Sequence, residues 1–212
     1  MIQDPQPPPR IHLIGFGSQG SAWAQCLKTS GWQTRVYLPQ TQSTSWQKAQ
    51  SLGFEPRRIQ ELGSDLMQDA PSHPHALLAL LCPDSQIPIV YETHLKDLPL
   101  DLCLILAHGF ALYSSDLQLR GPHHRAALLA PKAIGPKLLE NFQRHQPTAH
   151  GLSAAFYAPG VSPPNAQEFR RLDDPTPLED FKRVQQVALG LGFQPQNLIP
   201  ASFEQETIGD LI

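Results

Sequence analysis

Residues 10–20 read Arg-Ile-His-Leu-Ile-Gly-Phe-Gly-Ser-Gln-Gly. A short apolar run ends in G-x-G-x-x-G, and Ser-Ala-Trp-Ala-Gln-Cys-Leu-Lys follows at 21–28 with small residues near its start and helical spacing. A buried strand, a tight glycine turn and a helix N-terminus are the context in which this spacing carries meaning. The first glycine makes the turn, the second admits a pyrophosphate close to the backbone, and the third lets helix and strand pack. Helix N–H groups then face the anion. Gly15, Phe16, Gly17, Ser18, Gln19 and Gly20 are therefore candidate dinucleotide-binding residues, the alternative being a purely structural strand-turn-helix.

Outward from this loop, strand and helix patterns alternate. The apolar runs predict strands at 10–15, 34–38, 76–82, 102–107 and 126–130, and helices at 18–30, 44–52, 85–96 and 178–191. That rhythm predicts an α/β fold: a Rossmann-like, doubly wound, mostly parallel sheet with helices on both faces. In such sheets ligands bind beyond the carboxyl ends of the strands. Residues there include Cys82-Pro83-Asp84, His108-Gly109-Phe110 and Pro131-Lys132. The chain has 22 prolines, about twice the usual share of about 5%. They set the expected boundaries: a flexible tail at 1–9, a dinucleotide-binding domain at 10–198 with a Pro-rich loop at 159–177, and a distinct segment at 199–212.

The loop after the second predicted strand bears on the choice of cofactor. A carboxylate there accepts hydrogen bonds from a ribose 2′-hydroxyl and repels a 2′-phosphate. No acid stands between Asp4 and Glu55. The loop instead offers Gln40, Thr41, Gln42, Ser43, Thr44 and Ser45, leading into a helix start that favours anions. This favours NADP(H), with Ser43 and Ser45 as candidate contacts. The missing positive charge would come from Arg35, Lys48, Arg57 or Arg58, and the alternative reading of the loop is an ordinary helix cap.

Composition excludes several classes. Sixteen basic against 19 acidic side chains give a net charge of −3, with no basic run interleaved with aromatics, so nucleic acid is not an expected partner. The apolar runs are too short for a membrane span, and the first ten residues carry no signal-peptide core, which predicts a cytoplasmic protein. Cys26, Cys82 and Cys103 are widely spaced and read as buried free thiols rather than a disulfide or metal framework. His73-x-His75 and the pair His123-His124 have no evident third ligand and count weakly as metal sites.

Several ordered segments together resemble ketol-acid reductoisomerase. They are Gly-Phe-Gly-Ser-Gln-Gly-Ser-Ala-Trp-Ala at 15–24, Ser-Trp-Gln-Lys-Ala at 45–49, Gly-Phe at 53–54, Pro-Asp-Ser-Gln at 83–86, Ala-His-Gly-Phe at 107–110, Ala-Pro-Lys at 130–132 and Phe-Glu-Gln-Glu-Thr-Ile-Gly-Asp-Leu at 203–211. The resemblance covers most of 10–212. It implies NADPH as cofactor, a Mg2+-assisted alkyl shift of 2-acetolactate-type substrates, and reduction of the resulting 2-ketoacid in branched-chain amino-acid synthesis. By the same resemblance His108 and Lys132 are active-site residues, Asp210 is a magnesium ligand, and Pro83, Asp84 and Gln86 line the cofactor site. A small 2-keto or 2-hydroxy acid is the implied substrate, and a homo-oligomer is compatible with it.

The chain also departs from that family. The second metal-binding Glu would fall four residues after Asp210, beyond Ile212, and the helical domain that supplies the other carboxylates is not among these 212 residues. Ala133-Ile134 stands where Gly-Pro is usual, 154–159 lacks a Gln-Asp pair, and Pro39 replaces an Arg. The magnesium site is thus expected to be incomplete. Two rival readings follow: a non-catalytic dinucleotide-binding or sensing paralogue, and a different reductase such as one acting on imines.

Overall fold

The structure is a computed structural model that describes residues 8–114, 116–121, 123–145, 151–158 and 177–211, with the backbone alone at 177, 178, 210 and 211. Most of the expected tail and of the Pro-rich loop at 159–177 lie outside the described residues.

Eight strands form one sheet in the order β3-β2-β1-β4-β5-β6-β7-β8. They are β1 (Arg10–Ile14), β2 (Gln33–Leu38), β3 (Arg57–Arg58), β4 (His75–Leu80), β5 (Asp101–Leu106), β6 (His124–Pro131), β7 (Ala154–Tyr157) and β8 (Leu198–Pro200). All neighbours pair parallel except β6 and β7, which run antiparallel with Leu129 opposite Phe156. The expected doubly wound, mostly parallel sheet is what the chain forms.

Near-continuous apolar strands mark a sheet covered on both faces. Along β4, Leu77 and Ala79 join one core while Leu78 and Leu80 join the other. Along β5, Cys103 and Ile105 face the first side and Leu102, Leu104 and Leu106 the second. The first layer is closed by α1 (Ser18–Thr29), α2 (Thr44–Ser51), α6 (Gly135–His145) and α7 (Pro177–Gly190), with Trp23, Leu27, Phe142 and Val184 fully buried. The second is closed by α3 (Leu62–Asp69), α4 (Ile87–Val90, continued as a π turn over Tyr91–Leu95), α5 (Phe110–Tyr113) and α8 (Phe203–Leu211).

The second core includes two buried polar knots. His12 on β1 lies under Tyr37, whose hydroxyl donates to Asp65 at 2.9 Å and so accepts from His12 Nδ1 at 3.2 Å. Asp69, one turn beyond Asp65, pairs with Arg10 and Arg35. Burial outweighs the attraction of Asp69 and holds the His12 pKa down at about 3, so the ring is neutral. In the other knot the Tyr91 hydroxyl accepts from Arg120 and Gly121 N–H and donates to His124 Nδ1. His124 Nε2 then donates to the Leu98 carbonyl.

The structure corrects several expectations. The elements β3, β7, β8, α3, α5, α6 and α8 were not foreseen. The expected boundary at 198/199 cuts through β8, and α8 packs on α5 with Phe203, Glu206 and Thr207 buried, so 199–211 belongs to the same packed unit. Cys82 lies beyond the end of β4 and is only partly buried, unlike Cys26 and Cys103.

Candidate functional site

Strand order reverses between β1 and β4, and the glycine loop emerges there. Gly15 has φ +104°, and a Cβ on it would sit 2.7 Å from the Leu81 carbonyl oxygen. A Cβ on Gly20 would lie 2.4 Å from the Gly15 carbonyl oxygen, whereas one on Gly17 meets no atom within 4 Å. Two glycines are thus required by packing, and the third keeps open the space in front of α1. The α1 N-terminus has no side-chain cap and no acid in its first turn, so its leading N–H groups remain donors for an anion. These features fit a dinucleotide pyrophosphate. Phe16 does not present its ring to this space: it is buried against Phe54, so only its backbone is available.

Beside the loop a cavity of about 580 Å³ opens between the ends of β4, β5 and β6. Gln19, Cys82, Asp84, His108 and Lys132 line it, whereas Pro83 and Gln86 do not. Gln19 Nε2 donates to the Ala133 carbonyl at 2.9 Å, and Gly135 packs directly on the Ser18 backbone, so the loop after β6 is fastened to the glycine loop.

His108 and Lys132 meet on a residue that sequence reading did not single out. Glu206 of α8 is almost fully buried, accepts the Gly109 N–H at 2.6 Å, and lies 3.2 Å from Lys132 Nζ. The oxygen that accepts the Gly109 N–H, Oε2, is also 3.8 Å from His108 Nδ1. That nitrogen also accepts the Phe110 N–H at 3.1 Å, which leaves the proton of the neutral ring on Nε2. Gly109 is needed here because a Cβ would lie 2.2 Å from the Phe203 carbonyl oxygen. The signal for Glu206 was its spacing: Phe203, Glu206 and Thr207 fall at i, i+3 and i+4 on one helical face.

The remaining sequence candidates are placed as follows. Ser43 caps α2, accepting the Trp46 N–H while its hydroxyl donates to the Gln40 carbonyl. Ser45 lies in the first turn of that helix. Asp210 is in the last turn of α8, and its side chain lies outside the described residues. Among the described residues no three His, Cys, Asp or Glu side chains converge as a metal site. His75 pairs with Asp101 and His124 with Tyr91, so one member of each histidine pair is engaged structurally.

Residues 8–154 match the family model for acetohydroxy acid isomeroreductase, NADPH-binding domain. The chain belongs to the acetohydroxy acid isomeroreductase family. It is 28% identical over 212 residues to a ketol-acid reductoisomerase (NAD(P)(+)) of Metallosphaera sedula, covering 99% of this chain and 54% of that protein. Over 140 residues it is 33% identical to a ketol-acid reductoisomerase (NADP(+)) of Sulfolobus acidocaldarius, covering 64% of this chain and 38% of that one. The fold is also that of an NADH-preferring ketol-acid reductoisomerase from an uncultured archean, with TM-score 0.72, 23% identity, and coverage of 96% of this chain and 54% of that chain. A putative prephenate dehydrogenase from Corynebacterium glutamicum shares the fold at TM-score 0.61 and 18% identity, over 92% of this chain and 56% of that one. The chain thus spans about half the length of its isomeroreductase relatives. Residues 8–154 are an NADPH-binding, Rossmann-like domain of that family, and no helix among the described residues is long and apolar enough to cross a membrane.

Proposed function

We infer that this domain serves an NADPH-dependent reduction of a 2-ketoacid formed from a 2-acetolactate-type substrate, the reductive half of ketol-acid reductoisomerase chemistry. The observation that carries this reading is the convergence of His108 and Lys132 on buried Glu206, at the mouth of a cavity adjoining the glycine loop. NADPH would supply hydride at that cavity. Gly15, Gly17, Ser18, Gln19 and Gly20 would hold the pyrophosphate and the adjoining part of the cofactor, with Asp84 on the cavity wall. The Lys132 ammonium would stabilise negative charge developing on a substrate oxygen, and His108 Nε2–H would donate to a neighbouring one. Glu206 holds Lys132 directly and, through the Gly109 N–H, the turn that carries His108.

In this reading Asp210 contributes one carboxylate towards Mg2+. Mg2+ held by one carboxylate fills its octahedron with water, whereas a two-metal site needs bridging carboxylates, so in this reading the alkyl shift draws on further carboxylates besides Asp210. Free thiols and the family's biosynthetic role support a cytoplasmic location.

Calorimetric titration with NADPH, followed by addition of 2-acetolactate and Mg2+ while bound-NADPH fluorescence is recorded, tests the reading. Saturable NADPH binding with a fluorescence change that Lys132→Met removes is expected, together with little steady-state NADPH oxidation by the 212-residue chain. Absence of any response to the acid would overturn the substrate assignment. Robust turnover lost in both His108→Ala and Asp210→Ala would show a complete two-step site instead.

A further inference from the structure

The sheet edge beyond β2 poses a charge problem. In a dinucleotide domain the adenosine ribose sits off the carboxyl end of the second strand. The loop that follows, Pro39 to Ser43, contains no charged residue. A 2′-phosphate carries close to two negative charges at neutral pH, and Ser43 already uses its hydroxyl within the loop.

The nearby cations differ in what they are already doing. Arg35 is held by Asp69. Lys28 donates to the Gly53 carbonyl and lies over the Phe54 ring. Lys48 donates to Ser21 Oγ, on the pyrophosphate side of the crevice. Arg57 spends its Nε between Glu61 and Asp65, the latter buried under Tyr37. Arg58 is different. It pairs in register with Leu38, the last residue of β2, one strand spacing of about 4.8 Å away. Its side chain is 62% exposed, and its one hydrogen-bonded or ion-pair partner among the described residues is Glu61, held through Nε at 3.0 Å.

Parallel partners in register point to the same face of a sheet, so Arg58 shares the face of Leu38, the one covered by α2. Glu61 is kept ionised chiefly by its hydrogen bond from Arg58, and it takes only Nε. The four N–H bonds of the two terminal nitrogens are left as a planar fork, the geometry that binds phosphate bidentately.

We propose that Arg58, on β3 and outside the loop after β2, is the residue that selects NADPH over NADH by binding the 2′-phosphate, with Glu61 as its positioning residue. This rests on the reading of the domain as an NADPH site and names the group that makes it one.

The test is calorimetric titration of the 212-residue chain and of Arg58→Ala and Arg58→Lys with NADPH, NADH, 2′,5′-ADP and 5′-AMP, with Arg144→Ala as a control for loss of a distant exposed charge. Circular dichroism and thermal melts verify that each variant is folded. Arg58→Ala is expected to weaken NADPH and 2′,5′-ADP on the order of 10- to 100-fold while leaving NADH and 5′-AMP unchanged. Arg58→Lys, which keeps the charge and loses the fork, should fall between. Equal weakening of all four ligands, or no change in any, overturns the proposal. If the unmodified chain binds NADH as tightly as NADPH, the NADPH reading itself fails, and that outcome is visible before any variant is made.

Discussion

The Glu206 carboxylate accepts the Gly109 N–H at 2.6 Å through one oxygen and faces Lys132 Nζ at 3.2 Å through the other. One side chain from the last helix thereby joins the turn after β5 to the turn after β6. Gly109 is the N-cap of the short helix α5, so the carboxylate also meets the N–H end of that turn.

Removing this group should therefore be costly. Glu206→Ala leaves a buried N–H without an acceptor and Lys132 without this counter-ion, and is expected to destabilise the fold by about 3 kcal/mol, the scale for breaking a buried ion pair. Glu206→Gln keeps an acceptor for Gly109 and should cost about 1 kcal/mol. Urea denaturation midpoints with unchanged m-values would establish both figures.

The glycine loop allows binding and folding to be separated. Gly17→Val places its side chain in open space, and it is expected to preserve the melting temperature while abolishing NADPH binding. Gly20→Val forces a side chain onto the Gly15 carbonyl and should lower the melting temperature by several degrees. Thermal melts and cofactor titration on the two variants should give opposite patterns.

Stability should fall in acid because of His12. Its folded pKa of about 3 is below the 6.5 of the unfolded chain, so the unfolded state binds the extra proton. The contribution is complete above pH 6.5 and is lost as pH falls towards 3, by about 1.4 kcal/mol per pH unit. His124, also depressed by burial, and Glu61, whose carboxylate is held below its ordinary range, act in the same direction. Urea denaturation between pH 7 and pH 4 should show this slope, and His12→Gln should reduce it.

Thiol chemistry offers an independent probe of the cavity. Burial raises Cys82 to about 11 and Cys26 to about 12, and raises Cys103 further, so little thiolate exists at pH 8. Iodoacetamide should label Cys82 slowly and first, because it lines the cavity. Bound NADPH should slow that labelling again, as peptide mass spectrometry would reveal.

What the sequence made legible was the part with long apolar runs. β1, β4 and β5 are buried on both faces, and each was found within one or two residues of its end. β3 has two residues and β8 three, too few for any periodicity to register. α6 begins Gly135-Pro136 and reads as a turn, although Leu138 and Phe142 point into the core. His108 and Lys132 stood out because each follows a buried strand within a segment that resembles the family's. Glu206 was overlooked because a carboxylate on an apolar helical face looks like a solvated charge until its partners, 74 and 97 residues earlier in the chain, are in place.

That separation bears on how the molecule is made. A ribosome adds about 5–20 residues per second, so Gly109 waits roughly 5–20 s for the side chain that will accept its N–H. Strands β1, β4, β5 and β6 can associate during that interval, and the glycine loop with them. The nascent chain thus acquires the means to grip a nucleotide before it acquires the acid that holds Lys132 and the turn after His108. Binding competence precedes a finished crevice during synthesis, with translation of the last helix setting the delay.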